Sequence, residues 1–204
     1  MLKNIVFDIG GVLLSYKPQE YLVKKYVVDV AWDLLHLIYL SEEWGLLDKG
    51  DLTFEEARAK FKAKRPDLSS YIDFLTSRES LTELLQPMPD TVELIKELKN
   101  EGRNIYILSN YSPEGFSWLE EKNDFLHLAD GVLISGIANI SKPAPEIYQL
   151  LAHRHKIDPK RSVFFDDNSV NVEAARKEGF HSFVFESPEE CRKIIAQLDE
   201  KCED

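Results

Sequence analysis

Apolar residues along this chain follow two different spacings. Asn4-Ile5-Val6-Phe7 is a short apolar run that stops at Asp8, just ahead of Gly10-Gly11. Such a run, bounded by glycines, predicts a buried strand followed by a turn. From about residue 18 to 85 the apolar positions fall three and four apart instead, in "PQEYLVKKYVVD" and "AWDLLHLIYLSEEWGLL". The stretch "GDLTFEEARAKFKAK" adds a helix start, because Thr53 and Glu56 have the spacing of a capping box. Pro87 and Pro89 in "QPMPD" then punctuate the chain. Beyond them helix and strand patterns alternate: helix "TVELIKELKNEG", strand "NIYILSN", a helical stretch near 113 to 123, strand "GVLIS", helix "APEIYQLLAHRHK", strand "SVFFDDN", helix "VNVEAARKEG", strand "SFVFE" and helix "SPEECRKIIAQLDEK". Alternation of this kind predicts an α/β fold, a doubly wound parallel sheet with helices on both faces. The expected division is an α/β core of residues 1–15 and 87–204, with residues 16–86 as a helical insertion after the first strand.

The polar residues that end the predicted strands are the candidates for chemistry. "NIYILSN" finishes in Ser109-Asn110, "SVFFDDN" in Asp166-Asp167-Asn168, and the first strand at Asp8. Ligands of an open α/β sheet bind beyond the carboxyl ends of its strands, so Asp8, Ser109, Asn110, Asp166 and Asp167 are expected to line one cleft. Three carboxylates there repel one another unless a cation shares them. Oxygen-only ligands favour a hard divalent ion, Mg²⁺ above all where a phosphate adds further oxygens. His153 and His155 lie two apart on a predicted helix and point to different faces, which does not make a histidine metal site.

Composition narrows the partners. The 204 residues are 44% hydrophobic, enough for one sizeable core. With 25 basic and 36 acidic residues the net charge is −11, which argues against nucleic acid and anionic membranes as partners. The two cysteines, Cys191 and Cys202, offer neither a disulfide framework nor a four-cysteine metal site. The N-terminus lacks a secretion pattern and no run reaches membrane-spanning length, so a cytoplasmic location is the expectation.

Four segments together resemble the motifs of the haloacid dehalogenase-like hydrolases: "FDIGGVLL", "ILSN", "SKPAPEIY" and "VFFDDN", in the family's order and spacing. The resemblance covers nearly the whole chain and looks closest to helical-cap members such as the glucose-1-phosphate phosphatases. It implies a Rossmann-like core with a cap domain and a Mg²⁺-dependent phosphatase of small phosphorylated metabolites, sugar phosphates among them. It further implies that Asp8 is a nucleophile that forms an aspartyl-phosphate. Ser109, the Asn110 amide and Lys142 would hold the phosphoryl oxygens, and Lys142 would also hold Asp8. Asp8, Asp167, Asp166 and the Gly10 carbonyl would surround the metal, with Asn171 hydrogen-bonding at the edge of that group.

One position departs from the family pattern. Phosphatases of this kind carry an aspartate two residues after the nucleophile as general acid and base, and here Gly10 stands there. Loss of such a group costs roughly 10²–10⁴ in rate. A water, the substrate itself, or an acid of the insertion such as Glu43, Asp48 or Asp51 would then have to donate the proton. Two other function classes follow: a catalytically weak or silent protein that binds a phosphorylated ligand, and a haloacid dehalogenase, for which the Asp166-Asp167 pair would be superfluous. Trp44 is expected to pack between insertion helices rather than serve as a substrate platform.

Overall fold

In the computed structural model, residues 2–200 are described, and Lys201 and Cys202 lie outside them. The chain runs β1 (Asn4–Phe7), β2 (Leu14–Ser15), α1 (Pro18–Lys25), α2 (Val28–Leu34), a π-turn (Leu35–Tyr39), α3 (Glu42–Lys49), α4 (Phe54–Lys64), α5 (Ser69–Leu75), α6 (Arg78–Leu84) and β3 (Gln86–Pro87). It continues with α7 (Pro89–Asn100), β4 (Asn104–Ser109), α8 (Pro113–Lys122), β5 (Gly131–Ile134), α9 (Ser135–Ala138), α10 (Pro145–His155), β6 (Ser162–Asp166), α11 (Ser169–Lys177), β7 (His181–Val184) and α12 (Pro188–Glu200). Five strands form a parallel sheet in the order β5-β4-β1-β6-β7, so β1 is central.

The two faces of this sheet explain why its strands read as unbroken apolar runs. Ile5, Phe7, Ile107 and Phe165 pack on one side with Leu94 and Leu98 of α7 and Ile195 of α12. Val6, Leu108 and Phe164 pack on the other with Ile147, Tyr148 and Leu151 of α10. Burial on both faces removes the polar half of the strand alternation. The expected α/β fold with a helical insertion after β1 is the observed one.

The insertion leaves and rejoins the core through a short antiparallel pair, Leu14 opposite Pro87 and Ser15 opposite Gln86, and Met88 N–H donates to Leu13 O at 2.9 Å. Its helices are more broken than their periodicity predicts. The run from 31 to 47 is not one helix: the backbone turns extended at Ser41 (φ −84°, ψ 158°), whose Oγ accepts from Trp44 N–H at 3.2 Å and starts α3 afresh. A side chain that caps a new N-terminus outweighs the apolar spacing that spans it. Likewise α1 ends at Lys25 and Tyr26 is extended, ahead of the β-branched pair Val27-Val28. The capping box at Thr53 forms as spaced, with Thr53 N–H donating to Glu56 Oε2 at 2.8 Å and Glu56 N–H to Thr53 Oγ1 at 3.2 Å. Ser135, read as the end of a strand, instead begins α9.

Candidate active site

Sheet register builds the centre of the site. Phe7 pairs with Ile107 on one side and Phe165 on the other, so the next residue, Asp8, emerges between Leu108 and Asp166. Lys142, in the loop before α10, reaches into this gap. Its Nζ donates to Asp8 Oδ1 at 2.9 Å, Asp166 Oδ2 at 2.6 Å and Leu108 O at 2.9 Å. All three N–H bonds of the ammonium are therefore engaged. Burial works against this charge, but Asp8 and Asp166 outweigh it and hold the lysine above its ordinary pKa.

Lys142 is itself held from the end of β4. Asn110 Nδ2 donates to Lys142 O at 2.9 Å and Lys142 N–H donates to Asn110 Oδ1 at 2.8 Å, a reciprocal pair that ties the two loops together. Nothing local in the sequence signals this clamp, because its partners are 32 residues apart.

The two adjacent aspartates are placed differently. Asp166 is fully buried and saturated: it accepts from Lys142, from Asn168 N–H at 2.8 Å, and from Asn171 Nδ2 at 3.0 and 3.1 Å. Asp167 is exposed and faces the cavity described below. Oxygens of Asp8, Asp166 and Asp167 all lie within 4.8 Å of one another. Burial, then Asp8 and Asp166, push the Asp167 carboxyl up to about 6. Burial likewise raises Asp8, with Lys142 and the Ser109 hydroxyl pulling the other way and Asp166 adding to the rise. One ammonium among three carboxylates leaves a charge deficit that a divalent cation matches, and the donors are all oxygens, so the cluster fits Mg²⁺.

The turn after β1 is shaped by this crowding. Gly11 has φ +71°, and a Cβ there would lie 2.8 Å from Asp167 Cγ, so only glycine fits. Gly10 differs: its φ is unexceptional, and a Cβ would meet only Tyr16, at 3.6 Å.

The cluster opens into a cavity of about 320 Å³. Asp8, Gly10, Ser109, Asn110, Lys142, Asp167 and Asn171 line it from the core, so the sequence candidates meet there, with Asp166 buried beneath. The insertion contributes Tyr16, Tyr39, Trp44, Asp48, Leu81 and Leu85 to the lining, and the core adds Tyr111. Of the three candidate acids in the insertion only Asp48 is present. Glu43 is paired with Lys64 at 2.5 Å and Asp51 with Lys49 at 2.8 Å, and neither lines the cavity. Trp44 packs on Tyr39 and Phe54, with ring centroids 4.9 and 6.3 Å away, and also contributes to the cavity wall. Sequence reasoning missed the tyrosines, since their convergence is wholly tertiary.

The sequence family of haloacid dehalogenase-like hydrolases matches residues 2–179. Among curated proteins the chain is similar to the sesquiterpene phosphatase astK of Aspergillus oryzae, 28% identical over 179 residues, covering 87% of this chain and 86% of that protein. It is also similar to the (S)-2-haloacid dehalogenase 4A of Burkholderia cepacia, 30% identical over 196 residues, covering 89% and 81%. Two further relatives are much longer, and the chain spans 37% and 19% of them. In fold it is similar to a HAD family enzyme from Bacteroides thetaiotaomicron solved with magnesium and inorganic phosphate, with a TM-score of 0.72 at 22% identity over 91% of this chain and 95% of that one.

Proposed function

The chain belongs to the haloacid dehalogenase-like hydrolases, and from that premise we propose that it is a Mg²⁺-dependent phosphomonoesterase of a small phosphorylated metabolite, working through an aspartyl-phosphate on Asp8. The observation that carries this reading is the convergence of Asp8, Asp166 and Asp167 beside a cavity that Ser109 and Asn110 also line. On this reading residues 16–86 are the cap and residues 1–15 and 87–204 the core.

Each residue then has a distinct task. Asp8 attacks phosphorus with the carboxylate oxygen that Lys142 does not hold, and the Lys142 ammonium favours the ionised carboxylate against its burial. The Ser109 hydroxyl and Asn110 N–H donate to the phosphoryl oxygens, and Lys142 attracts them as a fixed charge. Asp8, Asp167 and the Gly10 carbonyl would hold Mg²⁺, with Asp166 supporting it directly or through water. When bound, that ion supplies positive charge to the phosphoryl oxygens and to the crowded carboxylates. Asn171 keeps Asp166 oriented.

The cavity also selects the leaving group. Among the described residues Lys142 is the only basic side chain lining it, and its donors are already engaged. A second anionic group on the substrate therefore finds no partner, whereas the faces and hydroxyls of Tyr16, Tyr39 and Tyr111 suit an uncharged leaving group with hydroxyls, a sugar or polyol. The volume lies at the small end of the range of about 300–1,000 Å³ usual for ligand sites. The same lack of a free cation disfavours a 2-haloacid, which carries a carboxylate.

Phosphate release from a panel of monoesters, with and without chelator and beside a halide-release assay on 2-chloropropionate, tests the proposal. Chelator-sensitive phosphate release without halide release supports it. Halide release would favour the dehalogenase, and ligand binding without turnover the silent binder.

A further inference from the structure

Resting on the phosphatase reading, the remaining question is which group protonates the leaving oxygen when Gly10 cannot. We propose that Asp48, at the end of α3 in the insertion, is the general acid and base of the reaction. It lines the same cavity as Asp8 but comes from the insertion, whose residues make the part of the wall left for the leaving group. Its carboxylate makes no hydrogen bond or ion pair among the described residues, and it lies outside the three-carboxylate cluster, so it is committed neither to structure nor to the metal. Its rivals Glu43 and Asp51 are paired with lysines elsewhere.

Asp48 is also held in place by the core. Ser135 Oγ donates to Asp48 O at 2.5 Å and accepts from Tyr111 N–H at 2.9 Å, linking the end of α3 to the β4 and β5 loops. Two glycines allow this approach. Gly50, at φ +84°, ends α3, and a Cβ on it would fall 3.0 Å from Gly136 Cα. A Cβ on Gly136 would fall 3.2 Å from Asp48 O and 2.8 Å from Tyr111 O. Backbone of the insertion thus touches backbone of the core at a residue that lines the cavity together with Asp8.

Around Asp48 the cavity presents Tyr16, Tyr39 and Trp44 from the insertion, and Tyr111, Asp8, Asp167 and Lys142 from the core. Burial first, and the Asp8 charge second, keep the Asp48 carboxyl well above the ordinary carboxylate range, which suits a proton donor near neutral pH. Burial also raises Tyr16, Tyr39 and Tyr111, so these hydroxyls stay protonated.

The steps balance. As Asp8 Oδ bonds to phosphorus, the phosphorus–oxygen bond to the leaving group breaks and that oxygen takes the Asp48 proton, leaving as an alcohol. Water then attacks the aspartyl-phosphate at phosphorus. One of its protons passes to the Asp48 carboxylate, the other stays on the phosphate, and Asp8 is released as a carboxylate.

The test is a leaving-group series on the full chain with saturating Mg²⁺, from acetyl phosphate through aryl phosphates to alkyl phosphates. Asp48→Asn keeps the carbonyl that Ser135 holds, and circular dichroism checks its fold. It should slow alkyl phosphates by about 10²–10³-fold and acetyl phosphate by less than about tenfold, since only poor leaving groups need the proton. Adding Gly10→Asp should restore at least about tenfold on alkyl phosphates, because the space beside Gly10 admits a Cβ. If Asp48→Asn does not fold, Asp48→Ser carries the same expectations. Equal losses on all substrates, or none, would overturn the assignment of Asp48. A wild type that releases no phosphate even from acetyl phosphate would overturn the phosphatase reading instead.

Discussion

Replacing Lys142 with Met keeps most of the side-chain volume and removes the one charge that lies between Asp8 and Asp166. In the native protein the ammonium meets both carboxylates and the Leu108 carbonyl within 3 Å, and it and Asp166 are almost completely buried. Without it, the Leu108 carbonyl loses its Lys142 donor and the two carboxylates face each other with no cation between them. Removing one partner of a buried ion pair costs about 3–5 kcal/mol. In a chain of this size 1 kcal/mol moves Tm by about 2–4 °C, so the variant should melt about 6–20 °C lower in chelator at pH 8. The sign of the pH dependence follows from Asp8. A carboxylate whose pKa is raised by folding loses stability as pH rises through that pKa, and loss of Lys142 raises Asp8 further. The deficit should therefore shrink toward pH 5 and widen again toward pH 8. Calorimetry of both proteins across this range, in chelator, is the assay. A variant that melts with the wild type at pH 8, or a deficit independent of pH, would refute the view that Lys142 neutralises this pair.

Mg²⁺ has to displace a proton from Asp167 below about pH 6, so its apparent affinity should fall about tenfold from pH 7 to pH 5, measured by titration calorimetry; a flat profile would contradict the site. In chelator, the same raised carboxyl should cost stability as pH climbs from 3.8 to about 6, visible as a falling urea midpoint. Gly11→Ala forces a side chain into left-handed backbone and against Asp167, so it should cost about 1–2 kcal/mol and weaken Mg²⁺ binding as well; urea unfolding and Mg²⁺ titration check the two effects separately. Thr53→Ala removes the α4 cap and should cost about 1 kcal/mol in urea unfolding while leaving the Mg²⁺ response intact, because that cap is remote from the cluster.

What the sequence disclosed followed the range of the interactions concerned. A strand buried on both faces is apolar throughout, so β1, β4 and β6 stand out in a linear reading, and so do the polar residues where they stop. Parallel register then makes adjacency almost automatic, since strands of matched start bring Asp8 beside Asp166. The helical stretches of the insertion were legible as helical, but not their breaks: Ser41 interrupts a run whose apolar spacing continues across it. The rest of the cavity depends on contacts between distant segments. Ser135 meets Asp48 from 87 residues away, and Tyr16, Tyr39 and Tyr111 line one cavity from segments far apart in the sequence. No local pattern encodes such meetings, and nothing in the linear sequence separates Asp48 from Glu43 and Asp51, which the fold pairs with lysines.

The central claim is that Asp8 receives the phosphoryl group, and the most direct test compares phosphate release by the wild type and Asp8→Asn at saturating Mg²⁺, using acetyl phosphate so that no leaving-group acid is needed. The account predicts release by the wild type that chelator abolishes, and a loss on the order of 10³-fold or more in a variant that folds normally. An Asp8→Asn protein that turns over near the wild-type rate would contradict it.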